Sequence, residues 1–95
     1  MAVGVVLEFD GTLDQYDQVL GKMGLERGGP LPNGGLFHWV TPTDGGFRVT
    51  DVWESREKFD SFSEAQIGPL SQEAGLGPPE VTFHEVHNYL GGPGA

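Results

Sequence analysis

The segment 46–59 constrains the fold of this chain most, because it runs from a strand into a helix without a loop. Phe47, Val49 and Trp53 give its first half the character of a β-strand. Ser55 follows as a helix N-cap, whose hydroxyl can accept from the first free backbone N–H groups. The sequence therefore predicts an aromatic ring at the mouth of a sheet, which is where a pocket would form.

Three further strands and one further helix are predicted around this segment. Thr12 and Gln15 have the spacing of a capping box for a first helix. The glycine- and proline-rich stretch 24–35 predicts a long loop, either a flap beside the pocket or merely a connection. Gly68 and Pro69 should break or kink the second helix, although residues 70–74 can add another turn. The predicted strands are 3–9, 36–40, 47–53 and 80–89, with a hairpin turn at 42–46.

The predicted order of elements is β-α-β-β-α-β, which is the pattern of ferredoxin-like α+β domains. We expect a four-stranded antiparallel sheet with two helices on one face, formed by a single domain over 1–90, and a flexible tail at 91–95. The first two strands are apolar on both faces, so the face without helices should also be buried. A homodimer that joins the two sheets into an α/β barrel is the simplest way to bury it.

Composition limits the partners and the chemistry. The 95 residues carry 14 acidic and 5 basic side chains, a net charge of −9 that argues against nucleic acid or an anionic membrane as partner. Cysteine is absent, which excludes disulfides, thiolate metal sites and a cysteine nucleophile, and no metal site is expected. No apolar stretch approaches the roughly 20 residues of a membrane span, and no signal peptide is evident, so we expect a cytoplasmic protein.

Asp51 and two histidines are the candidate acid–base groups. Strand alternation puts Asp51 on the same face as Trp53, Val49 and Phe47, where a carboxylate could serve as a base or accept from a substrate hydroxyl. Alternatively, Asp51 is solvated at a sheet edge or paired with an arginine. The predicted catalytic residues are Asp51, His87 and His38, and the predicted substrate-binding residues are Trp53, Trp39, Phe47, Val49 and Phe83.

The register of the predicted hairpin decides which aromatic side chain of the second strand faces the pocket. A one-residue slip exchanges His38 for Trp39 on that face. His87 shares a face with Glu85 and Phe83 on the last predicted strand, so a carboxylate-oriented imidazole is one interpretation. A histidine that is only hydrogen-bonded or solvent-facing is the other.

The chain resembles a small member of the dimeric α/β-barrel superfamily, in the region of the antibiotic biosynthesis monooxygenase domains. The residues that carry this resemblance are Thr50-Asp51-Val52-Trp53-Glu54-Ser55, Glu57, Phe59, Phe62 and the terminal Val86-His87-Asn88. The resemblance implies a homodimer, and it implies that Trp53 corresponds to a pocket Trp of several members. Haem-degrading members also use a histidine where this chain has Ser63, and an asparagine on the first strand that is missing here, so no haem or other cofactor is expected.

The resemblance implies a small-molecule enzyme of secondary metabolism, first of all a cofactor-independent monooxygenase acting on an aromatic or polyketide-like substrate. Two alternatives stay open at the level of sequence. One is a non-catalytic small-molecule-binding or stress-response dimer of the same fold, and the other is a polyketide cyclase. No catalytic triad or cofactor motif in the sequence separates the three. In each of them the expected partners are a second copy of the chain and an apolar or aromatic small molecule.

Overall fold

A computed structural model describes residues 1–91 and residue 94 of the chain. The predicted elements are present, with the second helix in three consecutive parts. Of the tail predicted at 91–95, residues 92, 93 and 95 lie outside the described residues. The strands are β1 (Val3–Phe9), β2 (Gly35–Pro42), β3 (Phe47–Trp53) and β4 (Glu80–Glu85), and the helices are α1 (Leu13–Lys22), α2 (Arg56–Phe62), a π-helical turn (Ser63–Ile67) and α3 (Gly68–Glu73).

The four strands form one antiparallel sheet in the order β2-β3-β1-β4, which confirms the predicted ferredoxin-like α+β fold. β1 lies between β3 and β4, and the β2–β3 hairpin occupies the side of the sheet opposite to β4. Thr43 and Gly46 exchange backbone hydrogen bonds across the hairpin turn, as the glycine-rich turn predicted. No helix in the described part of the chain is long and apolar enough to cross a membrane.

One face of the sheet, the inner face, packs against the helices and forms the core. Alternate residues of β1 and β3 point to it, and they are buried from Phe47 through to Trp53 on β3. Phe59 of α2 meets the Trp53 ring edge-on, with ring centroids 5.7 Å apart. The buried apolar residues of this core are Val5, Leu7, Phe9, Val19, Phe47, Val49, Trp53, Phe59 and Leu76.

Local capping confirms where both helices begin. The Thr12 hydroxyl accepts from the Gln15 backbone N–H at 3.2 Å, and the Gln15 side chain accepts from the Thr12 N–H at 2.9 Å, so the capping box is complete. The Ser55 hydroxyl accepts from the Lys58 N–H at 3.2 Å, and α2 begins at Arg56, three residues after the last residue of β3. The direct passage from strand to helix follows from this cap.

The expected break at Gly68 and Pro69 takes the form of a π-helical turn rather than an end. Proline lacks the N–H that an α-helix would use at its position. The N–H of Gly68 bonds to the carbonyl of Ser63, five residues earlier, and this wider turn lets the helix continue into α3. The extra turn predicted at 70–74 is therefore present, as part of α3.

The last strand is shorter than the sequence predicted. β4 ends at Glu85 rather than at residue 89, because Glu85 is opposite Val3, the first residue of β1. The paired part of β1 begins at Val3, so residues 86–89 lie beyond it and are not in a strand. His87 consequently lies outside β4 and is exposed.

Candidate functional site

A cavity of about 680 Å³ lies between the inner face of the sheet and the helices. Its lining is mostly apolar, with Leu7 and Phe9 from β1 and Phe62 and Ile67 from the long helical segment. Residues 25–32 of the predicted loop line its outer side. The loop therefore borders the cavity, which is the position that the flap interpretation required.

Four polar side chains form a hydrogen-bonded chain along one wall of this cavity. The Tyr16 hydroxyl lies 2.6 Å from His38 Nε2, and His38 Nδ1 lies 2.6 Å from Asp51 Oδ1. The Trp53 indole N–H donates to Asp51 Oδ2 at 3.1 Å. All four residues line the cavity. The polar cluster therefore joins side chains from α1, β2 and β3.

Strand register creates the centre of this cluster. His38 on β2 is directly opposite Asp51 on β3, so both side chains leave the sheet on the inner face. Asp51 is 6% exposed and has a partner on each carboxylate oxygen. A buried carboxylate with both oxygens occupied is held in one orientation, and it in turn orients the imidazole.

With Asp51 ionised and His38 neutral, the two short contacts of the imidazole allow one arrangement of protons. The Asp51 carboxylate accepts, so His38 Nδ1 carries the proton and donates it to Oδ1. In the neutral imidazole Nε2 is then an acceptor, and it accepts from the Tyr16 hydroxyl. Burial, followed by the negative charges of Asp51 and Asp17, raises the pKa of Tyr16 to about 12, so its phenol stays protonated at neutral pH.

A comparison with solved structures finds this fold in a known protein. The crystal structure of a candidate antibiotic biosynthesis monooxygenase from Deinococcus radiodurans matches with a TM-score of 0.58 and 14% sequence identity, over 99% of this chain and 100% of that one. The chain shares the ferredoxin-like fold of that protein. No protein-family profile matches the sequence, and a search of curated proteins also returns no match.

Within this ferredoxin-like domain, five of the eight predicted site residues meet at the cavity with their side chains on the inner face. Asp51 and His38 belong to the polar cluster, and Trp53, Phe47 and Val49 line the same space. The placement of the three β3 apolar residues agrees with their alternation. Their roles in binding or catalysis stay predictions.

The other three predicted residues lie differently. Trp39 is opposite Thr50 and follows His38 directly, so its side chain is on the outer face of the sheet. It is 48% exposed. Because β2 is the edge strand, Trp39 still borders the cavity. Phe83 packs edge-on against Phe59 in the core and is not part of the cavity lining. His87 is exposed and away from that lining. The slip that would exchange His38 for Trp39 has not occurred.

Tyr16 is the member of the cluster that the sequence analysis did not single out. Its phenol ring packs edge-on against Phe47, with ring centroids 5.7 Å apart, so the ring also belongs to the apolar packing of α1. A buried tyrosine hydroxyl needs a hydrogen-bond partner. This requirement is the sequence signal that could have predicted a contact between Tyr16 and a histidine such as His38. Among the described residues, no three metal-ligating side chains are grouped as a metal site would need.

Proposed function

We propose that the protein is a cofactor-independent monooxygenase that acts on an aromatic or polyketide-like substrate in this cavity. The observation that supports the proposal best is the hydrogen-bonded series Tyr16–His38–Asp51 on the wall of a mostly apolar cavity. A general base that a carboxylate orients, and that a tyrosine hydroxyl connects to the substrate, can remove a proton from a phenol or anthrone.

The proton would leave the substrate through Tyr16. The Tyr16 hydroxyl donates to His38, so its oxygen lone pairs are free to accept from a substrate hydroxyl. As the substrate proton moves to the Tyr16 oxygen, the tyrosine proton moves to His38 Nε2. Asp51 stabilises the imidazolium that results, and Tyr16 remains a hydrogen-bond donor to the substrate anion. With a pKa of about 12, Tyr16 relays the proton, and His38 is the base that holds it.

Dioxygen is the co-reactant. The deprotonated anthrone transfers electrons from its reactive carbon to dioxygen, and a C–O bond forms to give a peroxide. The imidazolium of His38 returns its proton to the peroxide through Tyr16. Loss of water then breaks the O–O bond and the remaining C–H bond, so that a methylene and dioxygen become a ketone and water. The substrate supplies all the electrons of this reaction.

Asp51, Arg48 and His87 do not act as the base in this proposal. Asp51 orients His38 instead of acting as the base, because both of its oxygens already accept hydrogen bonds. Arg48 forms an ion pair with Glu8, its partner on β1, and its side chain is on the outer face, so it does not stabilise charge in the cavity. His87 takes no part.

We also propose that the protein acts as a homodimer that joins the outer faces of two sheets. Phe37 and Trp39 project from the edge strand onto that face and are 44% and 48% exposed. Val52 lies opposite Phe37 on the neighbouring strand and continues the apolar surface. A second copy of the same face would remove these side chains from water.

Oxygen uptake by the purified protein, treated with a chelator, tests the enzymatic proposal. Anthrones and hydroxynaphthoquinols serve as substrates, and the anthrones should give an anthraquinone that carries one oxygen atom from labelled dioxygen. His38→Gln should lower the rate by about 100-fold or more, because the base is removed. Tyr16→Phe should lower it at least about tenfold. Tyr89→Phe, which removes an exposed hydroxyl outside the cavity lining, is the matched control and should keep the rate.

Two outcomes would contradict the proposal. Uptake that neither His38→Gln nor Tyr16→Phe slows would show that the reaction takes place elsewhere. No uptake with any compound, together with quenching of tryptophan fluorescence by the same compounds, would make the protein a binding protein or a cyclase. Conversion of a linear polyketide without oxygen consumption then identifies the cyclase.

A further inference from the structure

Ser71 on α3 is a second polar point in the cavity, and the proton relay does not use it. It is 5% exposed and lines the cavity, and apart from Asp51 it is the only polar residue that the described chain buries to this extent. Burial of a serine hydroxyl without a partner costs free energy. We therefore expect the Ser71 hydroxyl to have a hydrogen-bond partner.

The protein does not supply that partner. Among the described residues, no hydrogen bond joins the Ser71 hydroxyl to another group, whereas its backbone carbonyl accepts from the N–H groups of Ala74 and Leu76. No fully enclosed side-chain polar atom in the described part of the protein lacks a partner. The Ser71 hydroxyl therefore keeps some accessible surface, and Ser71 is one of the residues that line the cavity.

Ser71 and the Tyr16–His38 pair belong to different walls of the cavity. His38 lies on the edge strand β2, and Tyr16 on α1 reaches across to it. Ser71 belongs to α3, which packs against α1 at the end where Gln15 donates to the Ala74 carbonyl. The apolar side chains Phe9 and Leu76 line the same cavity. The cavity thus has a mostly apolar lining, with charged side chains at Asp17, Glu26 and Arg27, and it carries the Ser71 hydroxyl on a different helix from Tyr16.

We propose that Ser71 is a specificity-determining residue that binds a second oxygen of the ligand. This inference rests on the proposed function, because it assumes that the ligand oxygen to be deprotonated lies at Tyr16. The preferred ligand class is a rigid apolar molecule with a hydroxyl or carbonyl oxygen at each end. One oxygen contacts the Tyr16 hydroxyl, and the other exchanges a hydrogen bond with Ser71. A ligand with a single oxygen leaves the Ser71 hydroxyl unpartnered.

The test is a cycle of two protein variants and matched ligand pairs, measured by calorimetric titration. The pairs are 2-naphthol with 2,6-dihydroxynaphthalene, and 4-phenylphenol with 4,4′-biphenol, which differ only in the second hydroxyl and offer two spans. At least one diol should bind the unmodified protein about 3- to 10-fold more tightly than its single-hydroxyl partner. Ser71→Ala should abolish that gain and leave the affinity for the single-hydroxyl compound unchanged.

Two further variants separate this inference from the proposed function. Ser61→Ala removes an exposed serine hydroxyl on α2, away from the cavity, and should keep the diol preference. Tyr16→Phe should weaken both members of each pair. If the single-hydroxyl compounds bind in a Tyr16-dependent way and neither diol gains affinity, Ser71 has no such role while the proposed site stands. A gain in affinity that survives Ser71→Ala would likewise exclude Ser71 from this role. If no probe binds, the site and the inference are both overturned.

Discussion

At the scale of single residues, Asp51 determines the arrangement of the site. Its carboxylate makes hydrogen bonds with both His38 and Trp53, and it lies on the inner face of the sheet among apolar neighbours. Its two hydrogen bonds compensate the loss of hydration that burial of a carboxylate brings. The same two bonds leave no freedom in the orientation of the carboxylate, so they also determine which nitrogen of His38 carries the proton.

Asp51→Asn should therefore lower both stability and activity. An amide has one acceptor oxygen for two N–H donors, so one of His38 and Trp53 loses its partner or His38 changes its tautomer. We expect the free energy of unfolding to fall by about 1–3 kcal/mol, and oxygen uptake to fall at least about tenfold. Urea denaturation and oxygen uptake measure the two effects. Asp10→Asn, which changes an exposed carboxylate, should leave both unchanged. An Asp51→Asn protein with normal turnover would remove Asp51 from the mechanism.

The raised pKa of Tyr16 gives a second prediction at the same scale. The unfolded phenol ionises near its ordinary pKa of 10.0, and the folded one near 12, because of burial first and then the charges of Asp51 and Asp17. A group whose folded pKa is raised contributes stability that is fully present below the unfolded pKa and is lost as the pH rises through the folded pKa. Stability should therefore fall between pH 10 and pH 12.

Urea midpoints across that alkaline range, for the unmodified protein and for Tyr16→Phe, test the assignment. The variant lacks the ionising group, so its stability should depend less on pH between the two pKa values. Tyr89→Phe, with Tyr16 intact, should behave like the unmodified protein. Parallel curves for the unmodified protein and Tyr16→Phe would show that Tyr16 ionises alike in the folded and unfolded states.

At the scale of elements, the β2–β3 hairpin determines the site, because its register brings His38 to the inner face. Gly46 ends the hairpin turn where the chain passes the end of β1. A Cβ atom at Gly46 would lie 1.9 Å from the carbonyl oxygen of Phe9, which is backbone and cannot move without disturbing the sheet. The absence of a side chain at this one position therefore lets the hairpin begin its pairing with the correct residues.

Gly46→Ala should destabilise the protein by about 1–3 kcal/mol, as overpacking of a close contact does. Gly45→Ala is the matched control, since a Cβ atom there has no neighbour within 4 Å. It should leave the urea midpoint nearly unchanged. If the two substitutions lower the urea midpoint equally, the destabilisation results from the loss of glycine flexibility and not from the contact with Phe9.

The elements also show which parts of the site the sequence could predict. Period-two alternation on β3 was enough to group Asp51 with Trp53, because that grouping needs no knowledge of neighbouring strands. The choice between His38 and Trp39 depended on pairing with β3, a long-range property that local patterns do not contain. The end of β4 at Glu85 likewise depended on where β1 begins. The π-helical turn is a further example. Pro69 locally favours an end of the helix, whereas tertiary packing of the residues that follow favours its continuation.

At the scale of the whole molecule, the two faces of the sheet differ in their side chains and in what they contact. The inner face holds the cavity and its polar cluster. The outer face is apolar towards Phe37, Trp39 and Val52, and it becomes polar towards the hairpin turn, where Arg48 forms an ion pair with Glu8. A chain of 95 residues has a thin core, so burial of such an apolar surface by a second copy would add to its stability.

Trp39→Lys should therefore convert the proposed dimer into a monomer. A lysine at this position would place a charge in the proposed sheet-to-sheet interface and remove a large apolar side chain from it. Sedimentation velocity at micromolar concentration should show a dimer for the unmodified protein and a monomer for the variant. Gln18→Lys adds the same charge at an exposed position on α1 and should stay dimeric. A monomeric unmodified protein, or a dimer that persists in Trp39→Lys, would place the subunit contact elsewhere. Because Trp39 shares β2 with His38, oxygen uptake by the monomer then shows whether the site needs the second subunit.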